Sequence, residues 1–531
     1  MTQARQYRIW TRRARYLVVV VALLTIPLTA SLLADDTGPS ERPGEPPQLA
    51  ALSAEAFDSA AAAHLLSRAG FGGSPTEIKA LAQLGLDDAV ERLFAAEEAG
   101  ALEEFEPTFE SLGKVRREIR KELRNLPQEE RQKRRQKLRR QDRMQFQKLR
   151  GWWIRRMVQA THPLREKMVL FWHGHFTSSQ REVKNSHFMY LQNKSFRDNA
   201  FGNFRDLALQ IARDPAMLQY LNNNQNNRRK PNENFARELM ELFTLGVGNY
   251  TEKDIKEAAR AFTGWKTRNG EFSFQRRQHD WGTKTFLGKT GEFDGKDIIE
   301  ILFEQPQASR FIVRKLFTFF AHDKPSDDVI EALAATLRAS DFEIRPVLQQ
   351  LFKSQEFYSE PARGSRIKSP IELVVGTFRL LGMDPGDSPA AAGLAGRLGQ
   401  NLFMPPNVKG WEGGRNWIST STIAERYRMP NVVLGGNRQM QRMMRRFQDT
   451  DMKVEMTTFN PEVHGPLILG PDHGGLDAEK AVSRILDRFL LVPLTKSERA
   501  ELIRVYRNAK KNQKLRRVLM QLLGSPNYQL G

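Results

Sequence analysis

Between Trp152 and Gly264 the chain is a succession of apolar blocks, each opened by a proline or capping residue and most closed by glycine. That punctuation constrains the fold to packed helices. PLREKMVLFWH begins on Pro163 and stops at Gly174, and NFRDLALQIARDPAMLQYL is interrupted at Pro215. PNENFARELMELFTLG is helical from about Asn232 to Leu245, with Gly246 as terminator. TEKDIKEAARAFTGW starts on a capping box, Thr251 with Asp254, and ends at Gly264. Upstream, Ser74-Pro75-Thr76-Glu77 supplies a cap, a first-turn proline and an acid. The period changes at EFSFQ, which alternates, so a small β-hairpin is expected over 271–288. Helical blocks then resume: KDIIEILF, ASRFIVRKLFTFF, DDVIEALAATLRA, IRPVLQQLFKS and SPIELVVGTFRLLG. The expected fold is mostly α: a large multi-helix domain over 53–430 with a small β-hairpin insertion, then a helical C-terminal region over 431–531.

The first sixteen residues carry five arginines and no acid, and Leu17 to Leu24 is apolar. Small residues follow at Thr29, Ala30 and Ser31, or at Ala34. Residues 1–34 therefore read as an export signal, or as an N-terminal anchor if uncleaved, and the protein as exported to the periplasm, cell envelope or medium. Residues 35–52 read as a Pro- and acid-rich linker.

The formal charge of +20 is concentrated. Five charges sit in the first sixteen residues and a net +11 in Lys114–Arg150, which leaves +4 for the remainder. Local basicity of this kind, with export, makes nucleic acid an unlikely partner and leaves any membrane contact to the N-terminal segment. The 114–150 stretch is divided by Pro127 and reads as a basic helical hairpin, solvated or clamped on an acidic polymer. With no cysteine, disulfides, thiolate metal sites and a Cys nucleophile are excluded, and any metal must use His, Asp, Glu or Asn.

Three elements carry chemistry. In LFWHGHF, His173 and His175 flank Gly174. On a continuous helix the two imidazoles would diverge by about 200° at the 100° step per residue, but a glycine break would turn His175 back towards His173 as a second ligand. In NENFARELMELFTL, Asn234, Arg237, Glu238 and Glu241 form one polar stripe on a helix otherwise apolar, so the carboxylates are expected to need a cation or metal. Arg237, or Arg68, Arg260 or Lys284 from elsewhere, could serve. In QHDWG, His279 is followed by Asp280 on a loop, suited to a metal ligand or a base beside a carboxylate. His173, His175 and His279 with Glu238 and Glu241 would make a hard site for a divalent metal (zinc, manganese or iron). Glu238 or Glu241 would be the general base and Arg237 a carboxylate or anion partner. A buried Arg/Glu network holding helices together accounts equally well for the stripe.

PPNVKGWEGGRNW sets a glycine- and proline-fixed loop carrying Trp411 and Trp417. It serves either as an aromatic platform for a sugar ring or peptide, with Lys409 and Arg415 for anions, or as an ordered loop whose tryptophans pack inward. His64 and Arg68, late in the first helix, join Lys409, Trp411 and Trp417 as candidates for contact with substrate or partner.

The strings HLLSRAGFG, HPLREKMVLFWHGHF, PNENFARELMELFTLGVGNYTEKDIKEAARAFTGW, HDWGTKTFLG, PPNVKGWEGGRNW and the terminal LLGSPNYQL together resemble the bacterial domain-of-unknown-function 1800 family, from about residue 55 to the end. The resemblance implies an exported, largely helical protein of unestablished biochemistry, often encoded beside a secreted sulfatase-like family. Two functions are open: a metal-dependent hydrolase acting on an extracellular polymer or conjugate, and a non-catalytic envelope binding or assembly protein partnered by the sulfatase-like protein or an acidic glycan.

Overall fold

The computed structural model describes residues 46–108, 124, 126–386, 389–435 and 464–531. It is mostly α, with two small antiparallel hairpins. The helices that bear on the site are, in chain order, α1 (Ser59–Arg68), α2 (Pro75–Leu84), α3 (Gln128–Gln159), α4 (Leu164–His175), α5 (Asn234–Glu238), α6 (Glu252–Ala261), α7 (Pro306–Phe320), α8 (Pro370–Leu381) and α9 (Thr420–Leu434). The starts follow the local chemistry. Asp58 accepts from the amides of Ala60 and Ala61 ahead of α1. Ser74 with Glu77, and Thr251 with Asp254, form reciprocal capping boxes that satisfy the first free amides of α2 and α6.

One apolar core runs from Leu49 to Tyr528. Trp153, Trp172 and Phe176 are fully enclosed in it. Part of the expected linker belongs to this body: Leu49 is buried, and the Leu52 amide donates to the Lys353 carbonyl at 2.8 Å. The C-terminal helices also join it. The hydroxyls of Tyr528 and Thr377 lie 2.8 Å apart, and Arg488 donates to the Leu380 carbonyl of α8 at 2.6 Å. Among the described residues no helix is long and apolar enough to cross a membrane, and the proposed signal at 1–34 lies outside them.

Four local expectations are corrected. The single hairpin expected at 271–288 is two tight ones. β1 (Trp265–Arg268) pairs with β2 (Glu271–Phe274) across Asn269-Gly270, both at positive φ. β3 (Lys284–Phe286) pairs with β4 (Lys289–Gly291) across Leu287-Gly288. An Asn-Gly pair is the residue choice for a two-residue turn that matches strand twist. Second, α3 is one 32-residue helix that runs into Trp152 and Trp153. It is exposed at its N-terminal end but buries Leu138, Phe146, Leu149 and Arg150, so its second half is part of the body; most of the other arm, 114–125, lies outside the described residues. Third, α5 passes into a π-helical turn over Leu239–Thr244, in which the Leu245 amide reaches back to Met240 and the Thr244 hydroxyl to Leu239. Fourth, α4 does not stop at Gly174 and carries His175 within it.

Candidate functional site

Because α4 is continuous through Gly174, its two imidazoles point apart. His173 is buried among Trp153, Phe403 and Trp411, and its Nε2 accepts the Phe403 amide at 3.1 Å. Burial pushes its pKa down to about 3, so the ring is neutral. His175 sits in a different aromatic nest, stacked on Phe171. Its Nε2 donates to the Phe243 carbonyl at 3.1 Å, and its Nδ1 accepts a hydrogen bond from Lys315 Nζ at 3.1 Å. Burial and then the Lys315 charge hold its pKa well below the usual histidine range. Both acceptor lone pairs that these rings could offer a metal are therefore in use.

The other expected members lie elsewhere. His279 is buried on the loop after β2, its Nδ1–H on the Thr263 carbonyl at 2.9 Å, and its Nε2 has no partner. Asp280 is clamped by Arg260 at 2.8 and 3.2 Å and accepts the Gly282 amide. Lys284 turns to the carbonyls of Asp280 and Gly282. Arg237 is spent on Glu252, through two bonds of 2.8 Å, and on Glu233. Glu238 and Glu241 are half-buried, Glu241 3.4 Å from the Tyr250 hydroxyl. Burial and then the Glu241 charge raise the Glu238 pKa. His64 donates to the Phe357 carbonyl at 2.9 Å, and Arg68 caps the end of α7 at the Phe320 and Ala321 carbonyls. Among the described residues no group of three or more His, Asp and Glu stands together in a way that could hold a metal ion.

What the structure does bring together is the end of α4 and the tryptophan loop. Gly410, at φ +79°, lies against the Gly174 carbonyl, where any Cβ would collide with it. That close approach sets Trp411 against His173 in an edge-to-face contact, with ring centroids 5.5 Å apart. Trp417 turns inward and is buried, while Trp411 stays partly open. Between this loop, α4, α7 and the start of α8 lies a cavity of about 320 Å³. Its aromatic walls include Phe171, Phe311, Phe319, Trp411 and Trp417. His175, Arg314, Lys315, Arg366, Lys409, Glu372 and Glu412 supply its charge and polarity.

Lys315 is the member that sequence reasoning missed. Its ammonium reaches His175 and the Leu242 carbonyl, each at 3.1 Å, and lies 4.9 Å from the Phe311 ring centre. Burial lowers its pKa to about 8. In contrast, Glu372 is committed to the wall: one oxygen takes Lys167 at 2.5 Å, and the other closes the capping box of α8 with the Ser369 amide at 2.7 Å. A signal for Lys315 was present. Phe311, Lys315, Thr318 and Phe319 share one face of α7, at i, i+4, i+7 and i+8.

A family model matches residues 64–530, nearly the whole described body. The chain belongs to the DUF1800 family, a family of proteins of unknown function. The match takes in every residue of the cavity wall, so the histidine pair, Lys315 and the tryptophan loop all lie within the DUF1800 region. Comparison with curated proteins and with solved structures gives no match.

Proposed function

We propose that this DUF1800 protein is an exported, non-catalytic binding protein that takes the acidic sugar unit of an envelope glycan into the Trp411 cavity. The observation that carries the reading is Lys315, a desolvated ammonium on an aromatic-walled cavity whose bonds go to an imidazole and a carbonyl and not to a carboxylate. A buried cation without a counter-ion is costly, and an entering carboxylate would relieve that cost. Trp411 and the Phe171, Phe311 and Phe319 rings offer flat apolar faces to a sugar ring. Lys409 at an exposed position adds positive charge at the mouth, whereas Arg314 is paired with Asp327 at 2.7 Å. Metal-dependent hydrolysis has no comparable support, because the nitrogens of His173 and His175 are engaged with Phe403, Phe243 and Lys315.

Calorimetric titration with an oligouronate and with its methyl ester tests the reading. The acid should bind, more weakly as salt is added, and the uncharged ester should not. Equal affinity for acid and ester, or no heat from either, would overturn it.

A further inference from the structure

A second, smaller cavity of about 60 Å³ shares Arg366 and Glu372 with the first. Four cations line it, Arg68, Arg366, Lys368 and Arg488, against two carboxylates, Glu372 and Asp487. Asp487 is exposed at the rim, whereas Arg68 and Arg488 are buried. Glu372 is not free to neutralise the four, since fully buried Lys167 already holds it at 2.5 Å. A further buried cation, Arg426, stands behind Lys368 and donates to its carbonyl at 2.8 Å.

The cations are hydrogen-bonded, but to carbonyls. Arg68 and Arg366 cap the end of α7 through Phe320, Ala321, Thr318 and Phe319. Lys368 donates to the Tyr528 carbonyl at 2.8 Å, and Arg488 to those of Leu380 and Leu467. Carbonyl dipoles satisfy the donors, and the end of α7 contributes about half a negative charge. That leaves positive charge in excess around a small, partly open cavity whose remaining lining is largely apolar. The volume holds a few waters or one tetrahedral ion.

We infer that this cavity binds a small inorganic oxyanion, phosphate or sulfate, held by Arg68, Arg366, Lys368 and Arg488. The ion would tie α1, α7, α8 and the C-terminal helices together across the wall that the larger cavity also uses. The site is independent of the sugar reading, because Lys368 lines only the smaller cavity and Lys315 only the larger.

Equilibrium dialysis of the full chain against radiolabelled inorganic phosphate, with melting in phosphate and in chloride at equal ionic strength, tests it. Saturable uptake near one ion per chain is expected, with a phosphate-specific rise in Tm of ~2 °C or more. Lys368→Met should lose both while still binding oligouronate, and Lys368→Arg, which keeps the charge, should retain uptake. No saturable uptake by the unmodified chain would overturn the inference. So would uptake unchanged in Lys368→Met and Arg488→Met, or lost in Lys315→Met instead, which would place the ion in the larger cavity.

Discussion

Lys315 Nζ stands 3.1 Å from His175 Nδ1, and the same imidazole donates its Nε2–H to the Phe243 carbonyl at 3.1 Å. The pair joins α7 to the end of α4 and fixes the tautomer of a histidine that sequence reasoning assigned to a metal. It also fixes the proton state of the cavity. With the Lys315 pKa near 8, a carboxylate should bind well at pH 7 and roughly tenfold more weakly at pH 9, where the amine is mostly neutral. Titrating oligouronate between pH 6.5 and 9.5 checks this; a flat profile would remove Lys315 from recognition.

The same shift predicts how stability depends on pH. The folded state holds the Lys315 proton less tightly than the unfolded chain, whose lysines titrate near 10.5. Between about pH 8 and 10.5 the unfolded state therefore binds more protons, and stability rises with pH over that window. Lys315→Met should abolish this share, on the order of 3 kcal/mol at most, and be as stable as the parent or more so at pH 7. Urea denaturation of both proteins at pH 7 and 9.5 gives the difference.

Gly174 and Gly410 should respond in opposite directions. A methyl at Gly174 meets open space inside a helix, so Gly174→Ala should stabilise by about 0.5–1 kcal/mol. A methyl at Gly410 meets the Gly174 carbonyl at a positive φ, so Gly410→Ala should destabilise by more than about 1 kcal/mol and weaken ligand binding through Trp411. Thermal melts decide both. A destabilised Gly174→Ala would restore the glycine break and the convergent histidines.

Glu166 is buried between Arg156, at 2.8 Å, and Arg197, at 2.6 Å, with the Trp153 indole on its second oxygen. Burial raises its pKa, but the two guanidiniums outweigh burial and hold it below the usual carboxylate value. Glu166→Gln should cost about 3–5 kcal/mol, since it leaves buried Arg197 without its anion and Arg156 with only the exposed Glu104. In the parent this contribution is present at neutral pH and lost as pH falls through the depressed pKa. Chemical denaturation at pH 7 and pH 4 checks the size and the sign.

The parts legible in the sequence were those encoded by neighbours along the chain. Ser74 with Glu77, Thr251 with Asp254, and the terminator Gly246 act over three or four residues, and each stands where its pattern placed it. The tryptophan loop was legible as a fixed loop because its glycines and prolines are local signals. Glycine at 174 was ambiguous, since the same residue ends a helix or stands inside one, and here the helix runs through it with open space at its Cβ position. Lys315 was overlooked for another reason, although its place on one face of α7 was readable. Its value depends on His175, 140 positions away, and on Glu372 of the same wall being held by Lys167 instead. Arg237 was misjudged similarly, because Glu252 on the next helix outcompetes the acids of its own stripe.

The central claim is tested most directly by the dissociation constant of oligouronate for the parent and for Lys315→Met, read by tryptophan fluorescence at pH 7 and fixed ionic strength. The account predicts quenching from Trp411 in the parent and at least a tenfold loss of affinity in the variant, with no loss of thermal stability. Equal affinities in two equally folded proteins would contradict it.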